Sequence, residues 1–299
     1  MKIAKKQIFI IILFSSPSVF AVEAKKEIPD ILFHEYQQIS FDSLPKLDSL
    51  KLHSIISRLE PFPEYAYEFD IITSRMESGP ESTCSRFYDF TGDGVDDIIF
   101  NNHVAGEEKL FVLWGKQDTM YRIVGFTGGE ISKILVDATN EIKYTFVVVS
   151  DLCCDSELGS IKIFSPEFED NRLKYKESKR YEFFKWTNFP DSYERVPKGK
   201  FHVKYDSTCL RMSPEINDKY NGPYDDFDNK PLYGNIIAKL EKGGIGTVYA
   251  KFQDESQNLW WFVTMDANAK FVYDYQSRDS SACKCGWIDT KFLEIVEKN

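Results

Sequence analysis

Tyr88-Asp89-Phe90-Thr91-Gly92-Asp93-Gly94-Val95-Asp96-Asp97-Ile98-Ile99-Phe100 sets an acidic, glycine-bearing turn directly before an apolar run. Oxygen-bearing side chains fall at every second residue, Asp89, Thr91 and Asp93; the Val95 carbonyl follows, and Asp97 closes the set. A hard cation takes oxygens in this way, converging from one short loop. Gly92 and Gly94 let the backbone turn tightly around such a point. An EF-hand is excluded, because its bidentate Glu would stand where Phe100 is, and because the next segment reads as strand, not helix. The candidate ligands of a structural calcium ion are therefore Asp89, Thr91, Asp93, Val95 and Asp97. The competing reading is an Asx turn held by its own hydrogen bonds, without metal.

The residues around the turn continue in the same vein. Between Cys84 and Lys185 short runs rich in Ile, Val, Phe and Tyr alternate with Gly, Asn and Asp, as at Lys109 to Trp114, Tyr121 to Phe126, Lys143 to Val149 and Ser160 to Phe164. These predict strands of an antiparallel sheet. Two of the runs, each followed by a polar turn and a second strand, suggest repeated hairpins, but a propeller of at least four blades of ~40 residues has no room here. A smaller twisted sheet or sandwich is expected. Leu44 to Leu59 carries apolar residues spaced by three and four, which predicts one amphipathic helix, ended by Pro61-Phe62-Pro63. Val22 to Ser43 shows no clear pattern. Asp191 to Lys200, with Pro190, Pro197 and Gly199, reads as a linker. The fold class expected is mainly β, with an N-terminal antiparallel β domain over 22–195; a small barrel over 200–297 is what a family resemblance of that region implies.

Met1 to Ala21 has a basic start (Lys2, Lys5, Lys6), an apolar run from Ile8 to Phe14 and a small-residue exit at Val19-Phe20-Ala21. That order predicts a signal peptide over 1–21 and a periplasmic or secreted protein. Ser15, Ser16 and Pro17 cut the run far short of the ~20 apolar residues of a membrane span, so no membrane anchor is expected. The leader holds three Lys and no acid, and its removal takes the formal charge from −10 to −13. Such a charge opposes phosphate backbones, which excludes nucleic acid as a partner. Cys84, Cys153, Cys154, Cys209, Cys283 and Cys285 are disulfide candidates in an oxidising compartment, with a bridge from Cys209 to Cys283 or Cys285 preferred. A thiolate metal site at Cys153-Cys154 and Cys283-Lys284-Cys285 lacks the usual spacer of zinc sites.

Two resemblances add to this. The Asp89 loop resembles the calcium-binding turns of FG-GAP/VCBS repeats, of the form DxNGDGxxD before an apolar strand, with Thr91 where Asn or Asp is usual. Residues 200–297 resemble bacterial SH3 (SH3b-like) domains through Leu210-Arg211-Met212-Ser213-Pro214, Gly234-Asn235-Ile236 to Gly243, Trp260-Trp261-Phe262-Val263 and Gly286-Trp287-Ile288. The second resemblance implies a recognition module for a peptide, peptidoglycan or protein ligand, in a groove between loops. Two of those loops are long here, Glu215 to Tyr233 and Asp266 to Ala282, and Tyr224, Asp225, Asp226, Trp260 and Tyr273 are the expected binding surface.

An exported, non-catalytic binding protein is therefore expected, with an inhibitor or immunity-type protein as alternative. A cell-wall hydrolase is the second alternative. Its thiol would be Cys84, with His103, but the acids around Asp89 disfavour a thiolate. Asp151 and Asp155 are the other carboxylates considered for acid/base work.

Overall fold

The computed structural model describes residues 17–46, 54–61, 69–70, 72–74, 85–104, 108–117, 120–137, 139, 144–151, 158–169, 172–223, 231–274 and 282–298. The fold is mainly β: among the described residues 59% are in strands and 11% in helix. Helix α1 (Pro17–Leu32) comes first. Nine strands follow: β1 (Gln37–Ile39), β2 (Ser85–Tyr88), β3 (Asp97–Val104), β4 (Glu108–Gln117), β5 (Met120–Gly128), β6 (Glu130–Val136), β7 (Tyr144–Asp151), β8 (Leu158–Glu169) and β9 (Arg172–Phe184). The remainder is β10 (Glu194–Val203), β11 (Thr208–Arg211), β12 (Tyr220–Pro223), β13 (Pro231–Tyr233), β14 (Ile236–Leu240), β15 (Ile245–Gln253), β16 (Leu259–Met265), β17 (Phe271–Asp274), β18 (Cys283–Asp289) and β19 (Leu293–Lys298).

The first region is a sandwich built on strict alternation. The antiparallel sheet β2-β3-β4-β5 turns Ile99, Phe111 and Leu113 toward Phe146, Val148 and Phe164 of the neighbouring sheet. Ile98, Phe100, Val112 and Trp114, one position out of phase, face the other way and are covered by Ile55, Leu59 and Ile72. Period-two side chains thus bury both faces of one sheet. Each fully buried aromatic contributes on the order of 2 to 3 kcal/mol.

The second sheet runs without a break into the C-terminal region. Its order is β1-β6-β7-β8-β9-β18-β16-β15-β10-β19, and β11, β14 and β17 pair alongside. The junction is a parallel contact of β9 with β18, Tyr181 opposite Cys283 and Glu182 opposite Lys284. Ala24, Ile28, Ile31 and Leu32 of α1 lie over it, packed with Val147, Ile161 and Phe183 on one side and Phe262 and Trp287 on the other. Lys133 of β6 pairs with Asp30 of α1, and the Tyr193 hydroxyl donates to Glu27 at 2.7 Å. Beyond the junction the strands curl around Phe201, Leu210, Ile237, Leu240, Val263, Met265 and Ile288.

Three expectations are corrected. A helix does not start at Leu44: that residue is extended, with φ −72° and ψ 150°, because it precedes Pro45, whose ring disfavours the helical region for its predecessor. Among the described residues of the expected helix, Ser54 to Ile56 are helical; residues 47–53 lie outside the described residues. Residues 194–200 are not a linker but seven of the ten residues of β10, which pairs with β15 and β19. Pro197 is accommodated by a register shift between Arg195 and Gly199, where a residue without an N–H removes no ladder bond. The bridge from Cys209 is not made, since Cys209, Cys283 and Cys285 are free thiols. Arg211 lies opposite Trp287, which sets Cys209 level with Asp289. Cys285 is then four residues away along β18, about 13 Å, well beyond the reach of a disulfide.

Candidate functional site

A cleft of about 240 Å3 opens on the curled part of the sheet, between the turn of Tyr205 to Thr208, the coil after β11, and the end of β18. The first wall is a tightly fastened turn. Ser207 has φ +60°, an uncommon conformation for a residue with a Cβ. The Thr208 hydroxyl donates to the Tyr205 carbonyl at 2.7 Å, and the Lys242 amide donates to Asp206 Oδ1 at 2.8 Å. Tyr205 stands out from this turn 58% exposed, its ring edge-on to Phe292 at 6.5 Å.

The second wall is organised by Asn235. Its Nδ2 donates to the Ser213 and Glu215 carbonyls at 3.1 and 3.0 Å, and its amide donates to the Asn217 carbonyl at 3.1 Å. The coil so held presents Ile216, 59% exposed, and Asp218. Gly234 makes the close approach possible: at φ +59°, a Cβ there would lie 1.8 Å from the Asn217 oxygen.

Arg211 forms the floor. Its Nη1 donates to Asn235 Oδ1 at 2.9 Å and to the Asn217 carbonyl at 3.3 Å, and it lies 2.7 Å from Asp218 Oδ1. The Arg211 side chain is 7% exposed and that of Asp218 60%. Asp289 borders the far side, accepting from the Lys291 amide and paired with its ammonium at 2.5 Å. Cys209 also lines the cleft, and burial pushes its thiol above the ordinary range.

Of the residues expected to bind ligand, Trp260 borders this cleft but is buried, its indole donating to Asp254 at 3.1 Å. It belongs to the core more than to the surface. Tyr273 lies on β17, apart from the cleft lining, beside Tyr233 at 6.5 Å. Tyr224, Asp225 and Asp226 lie outside the described residues, as do Cys84, Cys153, Cys154 and Asp155. Sequence reasoning missed Arg211, Tyr205, Ile216 and Asp218. A charged residue inside the apolar run Leu210-Arg211-Met212 was the available signal.

The Asp89 loop closes on its own amides. Asp89 Oδ1 accepts from Gly92 and Asp93 at 2.7 and 3.2 Å, and Oδ2 from Gly94 at 2.9 Å. Asp93 Oδ1 accepts from Val95 at 2.8 Å. Asp97, fully buried, accepts from Phe90, Thr91 and Lys116 at 3.1, 2.9 and 3.0 Å. Burial nevertheless outweighs these donors and raises its pKa to about 6. Thr91 Oγ1, close enough to Asp97 to favour its ionised form, has no hydrogen-bond partner of good geometry. Among the described residues no three His, Cys, Asp or Glu side chains are placed to hold a metal ion. The arrangement as it stands is that of the hydrogen-bonded Asx turn.

No family model, curated protein or solved structure matches this chain.

Proposed function

We propose that this chain is an exported, non-catalytic binding protein that recognises a peptide of the cell wall or of another protein through its C-terminal, SH3b-like region. The observation that carries this reading is the cleft, where exposed apolar side chains, Tyr205 and Ile216, flank a sheltered guanidinium, Arg211. Recognition sites combine apolar contact area with a few placed polar groups in this way. The cleft's own thiol does not favour catalysis, because Cys209 is held protonated by burial and a nucleophilic cysteine needs the opposite.

Calcium at the Asp89 loop is a second part of the proposal. Its support is the alternation of oxygen-bearing residues. Binding would require Asp89 and Asp93 to turn oxygens from amides toward a common point.

The test is co-sedimentation of the mature protein with purified sacculi, with and without EDTA. Retention is expected for the parent, with loss in a Tyr205→Ala, Ile216→Ala double variant. Failure of the parent to sediment would remove the cell wall as ligand, and unchanged retention by the double variant would remove the cleft.

A further inference from the structure

The Arg211 guanidinium is only half used. All three of its polar contacts, to Asn235, Asn217 and Asp218, fall on Nη1. Among the described residues Nε and Nη2 donate to nothing, and this side chain borders the cleft. The Nε and Nη2 bonds are parallel and spaced to meet both oxygens of one carboxylate. Neither nitrogen is among the buried atoms that lack a partner, so both are open to water, which a carboxylate can replace with two charge-assisted bonds.

Three carboxylates, Asp206, Asp218 and Asp289, line the cleft with Arg211, so an entering anion would have to approach by the Nε–Nη2 edge, away from the Asp218 contact on Nη1. Asp218 is the carboxylate that contacts Arg211, and its own side chain is mostly in water, so it screens the guanidinium weakly. Asp206 accepts from the Lys242 amide, and Asp289 is paired with Lys291. Tyr205 and Ile216, both exposed, line the same cleft as Arg211 and offer it apolar surface.

Resting on the recognition role proposed above, we infer that Arg211 anchors the free carboxylate of a peptide C-terminus, with the last side chain of that peptide against Tyr205 and Ile216. A peptide C-terminus carries both features, a carboxylate and a neighbouring side chain, on one residue. Asp218 tunes the site by competing for the same guanidinium.

The experiment follows Arg211 Nε–Hε and the backbone amides of Cys209 and Asp218 by NMR of the whole mature protein. The probes are N-acetyl-Ala-Phe with a free carboxylate and the same dipeptide as its C-terminal amide, at millimolar concentration. The acid is expected to shift these resonances and the amide to bind at least ~10-fold more weakly. Arg211→Lys, which cannot offer the bidentate edge, should lose about 10-fold for the acid, and Asp218→Asn should bind it more tightly. If Arg211→Lys does not fold, the comparison of acid with amide on the parent decides alone. Equal binding of acid and amide, no response to the acid, or weaker binding by Asp218→Asn overturns the inference. Retention on sacculi without discrimination between the probes would sink the carboxylate anchor alone. Discrimination without retention would sink only the cell-wall reading.

Discussion

The Lys284 ammonium lies 3.2 Å from a Glu182 carboxylate oxygen and 3.1 Å from one of Asp274, with the Lys284 and Glu182 side chains 4% and 2% exposed. These contacts join β18 to β9 and to β17 at the seam between the two regions. Removing one partner strands a charge in the interior. Lys284→Met is expected to lower the unfolding free energy by about 3 to 5 kcal/mol, and adding Glu182→Leu should restore much of it. Urea denaturation measures both; a loss below ~1 kcal/mol in the single variant would show that water reaches the seam.

Asp97 should make stability fall as the solution becomes less acidic. Its folded pKa is raised to about 6 from the ordinary 3.8. Between those values the folded state holds more protons than the unfolded chain, so the contribution of this group declines as pH rises and its penalty is complete above about pH 6. The size expected from pH 4 to pH 7 is roughly 2 to 3 kcal/mol. It is obtained as the difference between the parent and Asp97→Asn, which also lacks an acceptor for one set of amides. A carboxyl carbon NMR titration of Asp97 with its midpoint near 4 would contradict it.

The turn itself predicts an order among its acids that does not need an ion. Asp89 serves three amides and Asp93 one. In EDTA, Asp89→Ala is expected to lose about 2 kcal/mol and Asp93→Ala under ~1 kcal/mol. Calcium adds a second contrast: if it binds, thermal unfolding of the parent shifts upward and that of Asp93→Ala does not. Melting curves of both variants, identical with and without calcium, would retire the ion and keep the turn.

Gly234→Ala tests the wall of the cleft. The new methyl would collide with the Asn217 carbonyl, and the backbone there is left-handed. At least ~2 kcal/mol of destabilisation is expected, about half from the conformation alone. The Arg211 side-chain resonance should move as well, because Asn217 is its partner. A variant as stable as the parent, with that resonance unmoved, would mean the coil after β11 is free to shift.

The strands were legible because their side chains alternate and their turns carry Gly, Asn and Asp. Lys109 to Trp114, Tyr121 to Phe126 and Ser160 to Phe164 all sit in strands where the pattern put them. Helix α1 was not, because the export reading absorbed its first turn and Pro29 falls within it. Its apolar residues Ala24, Ile28, Ile31 and Leu32 do recur at helical spacing. The helix drawn from Leu44 overlooked the proline that follows it, and the linker drawn at Pro197 mistook an irregular edge for an end of structure. The cleft was hidden for a different reason: its floor and walls are brought together by pairing between strands far apart in sequence, which local composition does not encode.

The parallel contact of β9 with β18 has a consequence for how the chain acquires its shape. Glu182 and its partner Lys284 are 102 positions apart, so one border of β9 stays open until β18, about a hundred positions further along, is in place. Contacts of such long range form slowly, and an unpaired border invites other chains in the meantime. A protein shortened before Cys283 would keep that border uncovered permanently, and the expected fate of such a product is precipitation or proteolysis in place of a smaller functional unit.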